Sequence, residues 1–192
     1  MRSYQIIRKT KETDIELSLT IDGSRDVEIH TGIPFFDHML TLFGFHAGFD
    51  LKIRCLGDLP VDDHHTVEDV GIALGQAFYQ SLGQFKGINR YGMCYVPMDE
   101  ALARAVIDIS NRPYLFYKAS YQRSEIGGLS LENVLEFFRA FVNEARINLH
   151  LEVLYGQNDH HQVESLFKAF ARAIKEASMI VSNDLPSTKG IL

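Results

Sequence analysis

The sequence predicts a mixed α/β (α+β) fold made by internal duplication, and two observations carry that expectation. The order of strands, helix, strand and histidine-bearing helix runs through the first half of the 192 residues and recurs in the second. A rare pentad opens the last helix of each round: His64-His65-Thr66-Val67-Glu68, then His160-His161-Gln162-Val163-Glu164. No proline- or serine-rich linker parts the rounds. One domain over 1–192 is therefore expected, with halves 1–92 and 93–192 meeting near Tyr91 to Pro97.

The elements follow from local pattern. Asp14 to Ile21 and Phe49 to Cys55 alternate apolar and polar residues, as half-buried strands do. Between them, Pro34 to Phe43 begins with a proline suited to a first helical turn and continues at helical apolar spacing. From His64 to about Gln84 a helix carries Val67, Val70, Leu74, Phe78 and Leu82 along one side, and Gly83 and Gly87 punctuate its end. In the second half, Ala101 to Ile109, Tyr114 to Tyr121 and Ile147 to Tyr155 read as strands. Leu129 to Asn143 reads as a helix, as does His161 to about Ser178, with Val163, Leu166, Phe167, Phe170 and Ile174 inward.

Composition narrows the function. Apolar residues make up 46% and charged residues 23%, an ordinary globular mix, and the net charge of −6 gives no basis for broad contact with nucleic acid phosphates. No stretch approaches the roughly 20 apolar residues that span a bilayer, and Met1 to Asp14 lacks a signal-like apolar run, so a cytoplasmic protein, or an organelle protein already stripped of its leader, without membrane contact is expected. Cys55 and Cys94 fall in strand-like runs and read as reduced core residues.

The pentads carry the chemistry. On a helix, positions i and i+4 share a face, so His64 with Glu68, and His160 with Glu164, can each grip one ion. His65 and His161 sit about 100° further round and point elsewhere. Two ligand directions in two copies predict two metals, each completed from the other copy. Overlaying the halves puts His38 and Glu136 in corresponding places, as a third ligand from each half. Imidazole with carboxylate suits borderline divalent ions such as zinc, manganese, iron or nickel. Asp63 and Asp159, just before the pairs, are expected as helix caps. Asp37 is either a carboxylate supporting His38 or an exposed early-helix acid, and His30 and His150 are expected to be structural. Arg90, Arg112 and the tail Pro186-Ser-Thr-Lys-Gly190 offer scattered anion-binding groups.

These residues resemble the imidazoleglycerol-phosphate dehydratases of histidine biosynthesis. The segments that carry the resemblance are Thr31–Leu40, Asp62–Gly71, Gly87–Gly92, Pro97–Leu102, Asp108–Pro113, His160–Ala173 and Pro186–Gly190. The resemblance implies halves with a four-stranded sheet each, like the second domain of ribosomal protein S5, and a homo-oligomeric cage of twenty-four subunits. It implies two manganese ions at sites between neighbouring subunits, one held by His38, His65, His160 and Glu164, the other by His64, Glu68, His161 and the residue at 136. Many relatives have histidine at 136, where this chain has Glu136, which adds negative charge and favours harder ions. It also assigns Glu12, His46, Arg90, Arg112, Ser187 and Lys189 to substrate contact, with all but Glu12 around the phosphate.

The implied reaction removes water from imidazole glycerol phosphate to give imidazole acetol phosphate. The hydrogen lost is not adjacent to a carbonyl, so base catalysis alone is inadequate. Two metals on the ring nitrogens favour an imidazolate, from which a diazafulvene-like intermediate forms as the hydroxyl leaves. Glu12 is the expected acid/base group. A dinuclear phosphohydrolase and a non-catalytic, metal-stapled oligomer are the competing readings.

Overall fold

The computed structural model describes residues 1–192. The first half runs β1 (Ser3–Lys9), β2 (Thr13–Thr20), β3 (Val27–His30), α1 (Pro34–Ala47), β4 (Asp50–Gly57) and α2 (His64–Leu82). Its counterpart runs β5 (Tyr91–Met98), β6 (Ala101–Asp108), β7 (Tyr114–Lys118), a small hairpin β8 (Glu125–Ile126) and β9 (Leu129–Ser130), α3 (Asn133–Ala145), β10 (Asn148–Tyr155) and α4 (Asp159–Ser178). Each half forms a four-stranded sheet, in order β1-β2-β4-β3 and β5-β6-β10-β7. In both, the first three strands are antiparallel and the last pairs parallel at the edge. The duplication is therefore present in topology as well as in the pentads.

Burial explains the pairing of layers. Thr13, Ile15, Leu17 and Leu19 of β2 turn inward while their neighbours face out, the period-2 pattern that fixes register. Helix α2 covers β1 and β2, and α4 covers β5 and β6. Under α4 the strand offers Ala101, Ala103 and Ala105, all buried. At Gly92 any added Cβ would stand 2.0 Å from the Ala173 carbonyl oxygen, so α4 lies close on its sheet.

The helices of the two halves then meet crosswise, α1 on α4 and α2 on α3. Gly71 and Gly75 let α2 approach the α3 backbone, where a Cβ would meet the Phe137 and Phe141 carbonyl oxygens at 2.8 and 2.6 Å. Phe43, Phe137, Phe138, Phe141, Phe167 and Phe170 fill the seam, with Phe43 stacked on Phe170 at 5.2 Å. One continuous core results.

Several sequence expectations need correction. Strand β1 is absent from the predicted elements, and β3 and β5 are read only as strand contexts around His30 and Cys94, because their faces are largely exposed or their runs short. The strand read as Tyr114 to Tyr121 stops at Lys118, and the helix read from Leu129 starts at Asn133, since Leu129 and Ser130 pair with Glu125 and Ile126. Asp63 and Asp159 do not cap their helices. Asp63 is tied to the backbone and hydroxyl of Ser130 (2.7 and 2.8 Å), and Asp159 to the N–H groups of Gln122 and Arg123 (3.0 and 2.7 Å). Capping bonds come from one residue earlier: Asp62 accepts from the His64 N–H at 2.9 Å, and Asn158 from those of His160 and His161. Both cysteines are free as expected, and burial, its largest cause, pushes the Cys55 thiol up to about 12.

Candidate metal centre

The crosswise helix packing decides which ligands meet. Because α1 lies on α4, His38 of the first half reaches His160 and Glu164 of the second. Glu164 Oε2 stands 3.0 Å from His160 Nε2 and 3.4 Å from His38 Nε2, and the three ligand atoms lie within 4.8 Å of one another. Ligands held about 2.0–2.2 Å from one ion stand roughly 3 Å apart, so this donor set fits a borderline divalent ion. Glu164 is buried, which by itself raises its carboxyl, but bonds from Lys168 and His160 outweigh burial and hold it below the usual range. Lys168 Nζ sits 2.6 Å from Oε1, leaving Oε2 for the imidazoles.

Since α2 lies on α3, a second arm forms from the other two helices. His64 Nδ1 is 3.1 Å from Asn133 Oδ1 of α3, and His64 Nε2 is 3.8 Å from Glu68. An amide oxygen on Nδ1 fixes the N–H there and leaves Nε2 bare for a ligand role. Glu136 stands one turn along α3, where it pairs with Arg139 at 2.6 Å.

His65 and His161 join neither group within the chain. His65 Nδ1 lies 3.0 Å from Asp58, with its Nε2 3.8 Å from Glu12. His161 Nδ1 lies 2.8 Å from Glu100, with its Nε2 3.7 Å from Asp99. In each ring the hydrogen-bonded carboxylate is the main cause of a raised imidazole pKa. Of the two expected four-ligand sets, one is three-quarters gathered and the other half gathered; the inner histidine of each pentad is absent from both.

The expected phosphate contacts divide between two places. Arg90 grips Asp108 (2.7 and 3.2 Å) and donates to the Pro186 carbonyl at 2.9 Å, while Asn111 holds the Leu192 oxygen at 3.1 Å. The tail bearing Ser187 and Lys189 thus runs alongside Arg90 and the exposed Arg112. His46 sits instead in a cleft of about 330 Å³ lined by Arg25, Arg172 and Lys175. Burial first, then the charges of Lys168 and Arg172, lower its pKa. Asp37 accepts from Thr31 (N–H 2.8 Å, hydroxyl 2.5 Å) rather than supporting His38. His30 is exposed with Glu28 at 3.4 Å, His150 stacks on Phe116 on an open strand face, and neither belongs to the group formed by His38, His160 and Glu164.

A family model described as imidazoleglycerol-phosphate dehydratase matches residues 31–174, which takes in every helix except the last turn of α4. The chain belongs to this dehydratase family. An imidazoleglycerol-phosphate dehydratase from Clostridioides difficile (strain 630) is 58% identical over 192 residues, covering 100% of both chains. The crystal structure of the Staphylococcus aureus imidazoleglycerol-phosphate dehydratase superposes with a TM-score of 0.85 at 43% identity, covering 93% of this chain and 99% of that one. That from Pyrococcus furiosus gives 0.83 at 35%, covering 97% and 100%. Family members are hydro-lyases of histidine biosynthesis, and the duplicated sheets and crossed helices are the dehydratase fold. No helix is long and apolar enough to cross a membrane.

Sequence reasoning missed Asp58, Glu100 and Asn133, the groups that set the ring orientation of three histidines. Glu100 had one signal: it lies in the Pro97–Leu102 segment, an acidic tight turn between strands.

Proposed function

We propose that the chain dehydrates imidazole glycerol phosphate to imidazole acetol phosphate, at sites that hold two manganese ions and are shared between copies of the chain in the cytoplasm. The observation that carries this is the gathering of His38, His160 and Glu164 from both halves into one candidate ligand group, with His65 and His161 held by Asp58 and Glu100 outside it. A second copy would supply the missing inner histidines: His65 to His38, His160 and Glu164, and His161 to His64, Glu68 and Glu136. A closed homo-oligomer follows from that requirement, and twenty-four subunits is the number the resemblance suggests.

Divalent ions held by these residues would favour the imidazolate form of the substrate ring, the electron-rich form from which a neighbouring hydroxyl can depart. The chain's own groups do the rest. Glu12 stands beside the Nε2 edge of His65, half exposed, where its carboxylic acid could protonate the departing hydroxyl and the carboxylate left behind could then take the carbon-bound proton. Arg90, already aligned by Asp108, would hold the phosphate with Arg112, Ser187 and Lys189, and His46 would approach from another copy. Remote phosphate binding then positions the reacting carbons.

The test is a metal-reconstituted assay for ketone formation, run beside Glu12→Gln. The reading expects ketone from the parent chain, and metal and substrate binding without turnover from the variant. Release of inorganic phosphate in place of ketone would favour a phosphohydrolase, and metal binding without reaction a structural staple.

A further inference from the structure

The two hairpins that begin the halves place equivalent acids differently. Glu12 is the residue before β2, and Glu100 is the residue before β6. Because β2 and β6 hold the same place in their sheets, these glutamates are repeat counterparts. Each faces the inner histidine of its own half: Glu12 approaches His65 Nε2 at 3.8 Å, whereas Glu100 bonds His161 Nδ1 at 2.8 Å. In the first half the Nδ1 position is already taken by Asp58, at 3.0 Å. Its counterpart place, one residue past the end of β10, is Gly156, which carries no carboxylate.

We propose that Glu100 is a positioning residue, which fixes the tautomer and aim of His161, and that Asp58 performs the same task for His65 and so leaves Glu12 free for proton transfer. The inference rests on the metal-site reading above and deepens it. A ligand imidazole needs its second nitrogen protonated and held, and removal of such a partner costs about 10–100-fold in metal affinity. Glu100 meets that need from a rigid setting. Its Oε1 accepts the backbone N–H groups of Gln157 and Asn158 at 3.1 and 2.7 Å, and Oε2 is left to His161. The same carboxylate therefore anchors the loop before α4, the cap of α4 and the ring of its inner histidine.

The two acids differ in a way that separates positioning from simple packing. In Glu100→Gln the backbone donors still require an oxygen, so the amide carbonyl stays on the loop and the NH₂ group faces Nδ1. His161 must then carry its proton on Nε2, the nitrogen needed for the metal. In Asp58→Asn nothing competes: both carboxylate oxygens face Nδ1, at 3.2 and 3.0 Å, and neither accepts another bond. The amide oxygen can turn to the ring and the tautomer is kept.

The experiment measures manganese binding by equilibrium dialysis in chelator-stripped, refilled protein, together with ring ¹⁵N shifts of the metal-free protein where imidazole is neutral. The expected result is loss of at least about tenfold affinity for one of two ions in Glu100→Gln, with the other unchanged, and a much smaller loss in Asp58→Asn. His161 should carry Nδ1–H in the parent and Nε2–H in Glu100→Gln. An unchanged tautomer, or equal losses at both ions, overturns the inference. Should the parent bind no manganese, the metal-site reading falls, while the tautomer still decides the role of Glu100.

Discussion

His38 Nε2 and Glu164 Oε2 stand 3.4 Å apart although 126 residues separate them along the chain. Nothing local brings them together. The contact exists because α1 of one half crosses α4 of the other, and the same crossing sets α2 against α3. The duplicated fold thus gathers His38, His160 and Glu164 into one candidate ligand group from both of its halves.

Glu164→Gln keeps the shape of the side chain and removes its charge. Lys168 then faces a neutral amide and the two imidazoles lose their anionic co-ligand. Metal affinity at that group should fall by more than about tenfold, with the second ion retained, as titration of metal-free protein will show.

The close approach of α2 to α3 can be probed at Gly75. An alanine has the better helix propensity, by about 0.8–1.0 kcal/mol in an open helix. Here its Cβ would lie 2.6 Å from the Phe141 carbonyl and 2.8 Å from Glu144 Cβ. Overpacking should win, so Gly75→Ala is expected to destabilise by about 1–3 kcal/mol in denaturant unfolding, against the propensity trend.

Phe170 lies fully buried between Phe43, Phe138 and Phe141 at the seam of the halves. Phe170→Ala should cost about 3–5 kcal/mol through the cavity it leaves. Because α4 carries His160 and Glu164, the same change should also loosen the ligand group, visible as weaker metal binding.

Acid stability should register Glu100. Its carboxyl is held at about 2 instead of 4.5, first by the Asn158 N–H and then by His161. A depressed carboxyl stabilises the fold fully above its unfolded value and loses that contribution as pH falls through the folded one. Metal-free parent protein should therefore melt higher than Glu100→Gln at neutral pH, and the gap should close between about pH 4.5 and 2. A gap that stays constant over that range would exclude this origin.

Phosphate anchoring is tested at Lys189, exposed on the tail beside Arg90. Lys189→Met should raise KM several-fold and lower kcat as well, since phosphate binding also positions the reacting carbons. An unchanged KM removes Lys189 from the phosphate site.

Much of this was legible in the chain. The i, i+4 pairings of His64 with Glu68 and His160 with Glu164 could be read from the pentads because that spacing is a local property, and the duplicated order singled out His38, whose position has meaning only against its repeat. The capping expectation at Asp63 and Asp159 failed for the converse reason: each carboxylate is used across the fold, on Ser130 and on Gln122 and Arg123, and only tertiary structure reveals such partners. Glu100 lies 61 residues from the ring it holds, beyond any local pattern. Strand β1 has no counterpart in the sequence reading and β5 only a strand-like run at Cys94, because many of their side chains face outward.

The central claim is that no single chain completes a site, and subunit mixing tests it most directly. His65→Ala and His160→Ala each disable the same four-ligand set, one by the inner histidine and the other by the gathered group. Dissociated, mixed in equal amounts and reassembled with manganese, the two inactive proteins should recover about a quarter of parental ketone formation, the share of sites that random pairing leaves intact. Recovery of no activity, with reassembly verified, would mean that His65 serves a site within its own chain and would contradict the account.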